Sequence, residues 1–243
     1  MAINQERASV LATVGLLGIG VNAAALVVAP MLRPDVNPLR SGLSHYAVGP
    51  WSGVQSAAFI ALGIGSLTIA RALWLVANGN LWTRIAAVML GLASFNFVGL
   101  AVFPMGEGGP MTPIGDLHLT AGTFAIGWQF LSVSALLLGL RAWRHEEHVI
   151  RLGIVLLGIT LLGAASVQVA IWRPDLQIPE GLAMRVVVVP LLLWWALIAR
   201  TIRRIARKPA LVALRSAGRP VFFSPPIMAG RREKVPEFSH EAC

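Results

Sequence analysis

Charge is scarce in this sequence: only 13% of its 243 residues are Asp, Glu, Lys or Arg, where a water-soluble domain carries roughly 25%. That shortage excludes an ordinary soluble globule. Cysteine is scarcer still, because the single Cys243 is the last residue. It has no partner for an intramolecular disulfide framework, and with nothing following it, it matches no prenylation box. The glycine pairs Gly18-Ile19-Gly20 and Gly63-Ile64-Gly65 follow no strand and lead to no Lys-Ser or Lys-Thr. They are therefore not phosphate or dinucleotide loops. No internal repeat stronger than this echo is present, which removes the sequence argument for an inverted-repeat transporter.

What fills the chain is apolar: 56% of residues are hydrophobic and the mean hydropathy is +0.71. A bilayer core about 30 Å thick takes roughly 20 apolar residues per helix. Runs of that length predict six spans, at about 9–31, 52–76, 82–103, 117–140, 151–172 and 182–202. The fold predicted is all-α, a polytopic bundle of six transmembrane helices over residues 1–205. A basic, proline-broken and largely disordered tail is predicted over 206–243. The first run is longer than the 7–15 residues of a signal-peptide core and is read as a retained anchor. Turn chemistry separates the runs: Arg33 through Pro38, Asn78-Gly79-Asn80, Pro104 through Pro113, Arg144 through His148, and Arg173-Pro174-Asp175.

With the N-terminus in the cytoplasm, sixteen of the 20 Lys and Arg residues share that side, ten of them from Arg200 onward. The opposite side keeps Arg33, Arg40, Arg173 and Arg185. The positive-inside rule then predicts a multi-pass plasma-membrane protein with both termini cytoplasmic. The net charge of +9 has membrane lipids as its expected anionic partner and no nucleic acid, since no nucleic-acid motif accompanies it. Val221-Phe222-Phe223, beside Arg215 and Arg219, reads as solvated tail. Protein partners are not legible.

Within the spans no carboxylate sits at mid-depth, which weighs against an ion-coupled pump. The polar residues there are Asn22, Gln55, Asn96, Gln129, Ser132, Ser134 and Gln168, types that bridge helices in lipid. Arg71 and Arg185 lie close enough to helix ends to snorkel, and Pro190 is placed to kink the sixth helix.

Chemistry concentrates in three outer loops that face one compartment. The first supplies Asp35, Asn37, Ser41, Ser44, His45 and Tyr46, the second Glu107, Asp116 and His118, and the third Arg173, Asp175 and Glu180. Asp116 at the start of the fourth helix is expected to cap it. His118, one turn in, is the candidate ligand or proton carrier, with Asp116 or Asp35 as partner. The candidate outer-face binding site is His118, Asp116, His45, Tyr46, Ser44 and Gln55. His45, Asp116 and His118 supply three donors of zinc-ligand type, and Ser44, His118 and Asp116 the residue types of a hydrolytic triad. No spacing demands either, and neither catalytic residues nor a cofactor are assigned. His145 and His148 around Glu146-Glu147 form a solvated, charge-balanced inner loop.

Several of these residues together resemble the domain-of-unknown-function-998 family of six-helix bacterial and archaeal membrane proteins. They are Pro38-Leu39 and Leu43-Ser44 in the first loop, then Gly53, Gln55 and Phe59 opening the second helix. Phe103-Pro104 with Gly108-Gly109-Pro110 follow, and Gly115-Asp116-Leu117-His118 opens the fourth helix. The likeness covers residues 10–205. Met105 stands where an acidic residue is frequent and Ile114 where His is frequent, which removes two ligands from any metal site. The resemblance implies shared topology and clustered outer loops, and brings no activity. The expectation is an integral membrane protein binding a lipid headgroup or small ligand at its outer face. A small-molecule transporter lined by Gln55, Asn96, Gln129 and Gln168, and a metal-dependent membrane hydrolase, are the alternatives.

Overall fold

In a computed structural model, residues 2–106, 112–140 and 147–217 are described. The order is α1 (Ala2–Leu32), a 3-10 turn (Leu43–Ala47), α2 (Ser52–Val76), α3 (Leu81–Val102), α4 (Pro113–Leu140), α5 (Glu147–Trp172), a second 3-10 turn (Pro174–Leu176) and α6 (Glu180–Ala217). All six helices are long and apolar enough to cross a membrane, and no strand occurs among the described residues. Two units divide the chain, Met1–Pro209 and Ala210–Cys243. The first holds nearly all of the bundle.

Four helices exceed their apolar runs. α1 begins before residue 9, α4 at Pro113, α5 at Glu147, and α6 continues to Ala217 rather than stopping near 202. Hydropathy marks where a helix leaves lipid, while the backbone stays helical as long as the residues favour it; the Arg, Ala and Leu beyond Arg200 are good helix formers. At α5 the added turn carries an exposed Arg151–Glu147 ion pair of 3.3 Å at the i,i+4 spacing. α6 runs through Pro190 as one helix. The predicted tail segment Val221-Phe222-Phe223, Glu107, the Gly108-Gly109-Pro110 run, Arg144, His145 and Glu146 lie outside the described residues.

Glycine decides which helices touch. A Cβ on Gly18 would stand 2.9 Å from the Gly65 Cα, one on Gly63 would stand 2.9 Å from the Ser94 carbonyl, and one on Gly99 would meet Ala121 at 3.3 Å. These small residues bring α1 onto α2, α2 onto α3 and α3 onto α4. That is how helices in lipid gain packing without a hydrophobic force between them. α6 meets α5 in the same way at Gly163, whose Cβ would stand 2.9 Å from the Val187 N, and adds the buried large side chains Leu191, Trp194, Trp195 and Ile198. Trp194 occupies the room left by Gly153 of α5.

The helix ends carry membrane-interface chemistry. Trp51 and Trp172 are exposed at one end, Trp74 and Trp82 at the other, as expected of aromatic belts, and Arg84 lies 5.4 Å from the Trp74 ring centroid. Between α2 and α3, Asn78 and Gly79 both take positive φ (45° and 83°), which a tight Asn-Gly turn requires. Asn80 then caps α3, accepting from the Thr83 N–H at 3.0 Å, and donates to the Gly139 carbonyl at 3.4 Å.

Candidate functional site

The α1–α2 loop folds against the start of α6. The Leu182 N–H donates to the Leu39 carbonyl at 2.9 Å, and Arg185 donates from Nη1 to the carbonyls of Pro38 and Gly181. Gly181 lies so close to loop residues 38–41 that a Cβ there has no room. Arg185 therefore meets loop carbonyls rather than only extending along its stem. The loop is closed on itself by Arg33, whose Nε and Nη2 grip Asp35 at 2.9 and 2.7 Å while Nη1 reaches the Val48 and Pro50 carbonyls. This guanidinium holds the Asp35 carboxyl below the usual carboxylate range, and Arg173 does the same to Asp175 across the α5–α6 connection. Asp35 is thus occupied and is not the partner of His118.

His118 is 1% exposed and joins two of the outer connections. Its Nδ1 lies 2.6 Å from the Phe103 carbonyl at the end of α3, and its Nε2 lies 2.6 Å from Ser44 Oγ in the first loop. A carbonyl only accepts, so in the neutral ring Nδ1 carries the proton and Nε2 accepts from the Ser44 hydroxyl. Phe59 packs edge-on against the imidazole, centroids 6.5 Å apart. Ends of α3, α4 and the first loop therefore converge on one ring.

Of the other predicted site residues, Asp116 is exposed on the first turn of α4. Capping belongs instead to Thr112, whose Oγ1 accepts from the Gly115 N–H at 3.1 Å, with Pro113 at the first helical position where its missing donor costs nothing. Thr-Pro ahead of an apolar run is the sequence signal that could have located this start. Asp116 thus takes no part in a Ser44–His118 triad, since Nδ1 faces the backbone. His45 is half-buried with Nδ1 at 3.3 Å from the Gly42 carbonyl, and Tyr46 is buried, donating to the Val36 carbonyl at 3.3 Å. Both hold the loop in shape. Gln55 is buried on α2, and its Oε1 has no partner.

Zinc chemistry fits poorly. No group of three His, Cys, Asp or Glu side chains among the described residues is placed to hold a metal ion, and both nitrogens of His118 are already engaged. The four amides expected along a transport path also diverge. Asn96 donates to its own helix at the Leu92 carbonyl, and Gln129 accepts from the Trp195 indole at 2.9 Å. Only Gln129 and Gln168 face the cavity described next.

Beneath the loop lies a cavity of about 340 Å³, within the range of small-molecule sites. Apolar side chains make most of its wall, among them Leu62, Phe97, Leu100 and Leu191, and Ser44, His118 and Glu180 stand in it at the loop end. Asn22 of α1 also lines it; its Nδ2 donates to the Ala58 carbonyl at 3.3 Å while Oδ1 is buried without a partner. Neither the cavity nor the Phe103 carbonyl was legible in the sequence, because one is a gap between helices and the other is backbone. The third-loop acid Glu180 was legible only as one polar residue among several.

A family model described as "Protein of unknown function (DUF998)" matches residues 16–201. No curated protein and no solved structure matches the chain.

Proposed function

The chain belongs to this family, and from that premise we propose that it is a multi-pass membrane protein that holds one small amphipathic molecule, a lipid or lipid-like ligand, in the cavity beneath its first loop. The observation that carries the reading is the pairing of a mainly apolar chamber with a polar end built from His118 and Ser44. Apolar walls accommodate a chain at no cost in unpaired polar groups, and a few convergent polar atoms orient the head. The positive-inside bias of the sequence supports cytoplasmic termini in a plasma membrane, with the loop end of the cavity on the outer side.

The site as proposed is smaller than the set of polar outer-loop residues. Ser44 and His118 touch the ligand, His45 and Tyr46 shape the loop around it, Gln55 lies behind it, and Asp116 stays outside. Native mass spectrometry of protein released gently from membranes tests this. Wild type retains one amphiphile per chain, and His118→Ala, still inserted and folded, loses it. Equal retention by the variant, or an empty wild-type protein, overturns the reading.

A hydrolytic second reading is favoured by one distance, the 2.6 Å from Ser44 Oγ to His118 Nε2, which suits a base taking the hydroxyl proton as the oxygen attacks an ester carbonyl. Covalent labelling of Ser44 by a fluorophosphonate is its test; absence of label on folded protein removes it.

A further inference from the structure

The polar groups at the loop end of the cavity lack donors, whereas the amide donors of Gln129 and Gln168 stand elsewhere in its wall. Glu180 is its one charged side chain apart from His118, and no Lys or Arg lines it. Among the described residues Glu180 has no hydrogen-bond or ion-pair partner, although Arg185 stands one turn along the same helix with its Nη1 committed to the Pro38 and Gly181 carbonyls.

The remaining groups near the loop end are acceptors too. The Phe103 carbonyl fixes the proton on His118 Nδ1, so Nε2 accepts and Ser44, having donated its only proton, offers lone pairs. Asn22 has no freedom to turn its amide around, because only Nδ2 can face the Ala58 carbonyl; the buried Oδ1 is left as an acceptor without a donor. A buried polar atom left without a partner is costly. Two acceptors at the loop end, Ser44 and the Glu180 carboxylate, therefore stand open to a donor and a positive charge, with the Asn22 amide oxygen buried behind the wall.

We infer that the occupant is an amphiphile with a donor-bearing, cationic head, a long-chain primary amine by chemical class, and that anionic amphiphiles such as fatty acids and phosphate-headed lipids are rejected. The ammonium meets Glu180 and the Ser44 lone pairs at the loop end while the chain fills the apolar wall beside Leu62, Phe97 and Leu191. A carboxylate head meets Glu180 with like charge and finds no guanidinium or ammonium in the wall. An alcohol head, which donates without charge, falls between the two.

This inference rests on the proposed amphiphile site, and the test separates their failures. Full-length protein in phosphatidylcholine nanodiscs is titrated with dodecylamine, dodecanol and dodecanoate, with empty nanodiscs subtracted. The expected order is amine, alcohol, carboxylate, with at least a tenfold span in Kd between the first and last. Glu180→Gln is expected to collapse the amine's advantage over the alcohol and to leave alcohol binding in place, and Asn22→Leu to weaken amine and alcohol together. Equal binding of all three ligands, or tighter binding of dodecanoate, overturns the charge assignment while leaving the cavity reading intact. No saturable binding of any of them overturns both. If Glu180→Gln does not fold, the order measured on wild type and Asn22→Leu still decides.

Discussion

The α1–α4 side of the bundle and the α5–α6 side solve the same packing problem with different shares of backbone and side-chain contact. On the first, glycine against glycine and glycine against carbonyl bring backbones together, as at Gly18–Gly65 and Gly63–Ser94, and little room is left for anything else. On the second, Gly163 of α5 still meets the α6 backbone at Val187, but buried Trp194, Trp195 and Leu191 add large side chains to the contact, and helices of both sides wall the cavity. α5 is the least buried of the six spans. The contrast teaches that small residues in lipid mark framework, whereas a site forms where the contact passes from backbone to large side chains.

The harshest way to break this comparison is to add atoms to the framework. Gly18→Val places carbon within van der Waals distance of the Gly65 backbone, which neither helix can yield. We expect a loss of about 3 kcal/mol, read as a drop in the fraction of folded protein during graded unfolding in mixed micelles. Gly20→Ala, with nothing within 4 Å of its new carbon, is the control and should be silent. A harmless Gly18→Val would mean that the α1–α2 contact is not structural. The next effect comes from the site side: His118→Ala leaves the Ser44 hydroxyl and Phe103 carbonyl unpaired and should cost about 1–3 kcal/mol by the same measurement. The two losses should add, since the framework glycines and the imidazole share no contact in the structure.

How much of this was readable beforehand follows the same division. Hydropathy located all six spans because lipid imposes length and composition on every residue in the run. It missed the ends of α1, α4, α5 and α6, since a helix persists beyond lipid where propensity and capping allow it. Of the glycines in the spans, Gly18, Gly63 and Gly65 meet a neighbouring helix while Gly20 and Gly91 meet nothing within 4 Å, a division the sequence does not show because pairing is decided by three-dimensional packing. At the site, the sequence put Ser44 and His118 in separate outer connections on one side, and the fold joins them at 2.6 Å. Asp116 was read as cap and partner on position alone, and Thr112 and the Phe103 carbonyl took those roles. A backbone acceptor has no residue type to betray it.

Smaller effects sharpen the picture of what holds the cavity mouth. Thr112→Ala removes the side-chain cap of α4 and should cost about 1 kcal/mol. The fraying it causes lies next to His118, so ligand release should quicken in parallel with the loss of stability. Capping loss without faster release would show that the α4 terminus is framework like Gly18, and that the imidazole is held from the loop and from Phe103 alone.

The smallest effect concerns two Arg-x-Asp pairs of identical spacing, Arg33–Asp35 and Arg173–Asp175. In each, the guanidinium lowers the carboxyl's pKa from its ordinary 3.8, so at acid pH the folded chain binds fewer protons than the unfolded chain. Whatever stability the pair supplies is fully present above the unfolded value near 3.8 and is lost as pH falls through the lower, folded value. Both carboxylates are exposed, and exposed pairs contribute little. They differ in their surroundings, because Arg33 also reaches the Val48 and Pro50 carbonyls across the loop while Arg173 makes its bonds to Asp175. Protonating Asp35 should therefore loosen a loop that carries Ser44, and protonating Asp175 should loosen only a connection. Release of the uncharged dodecanol from Glu180→Gln protein, measured from pH 5 to pH 3, should quicken in that background alone and with Asp175→Asn added, and be fast and nearly flat with pH when Asp35→Asn is added. Matching profiles for the two variants would place the acid sensitivity elsewhere and make the first loop no more than another connection.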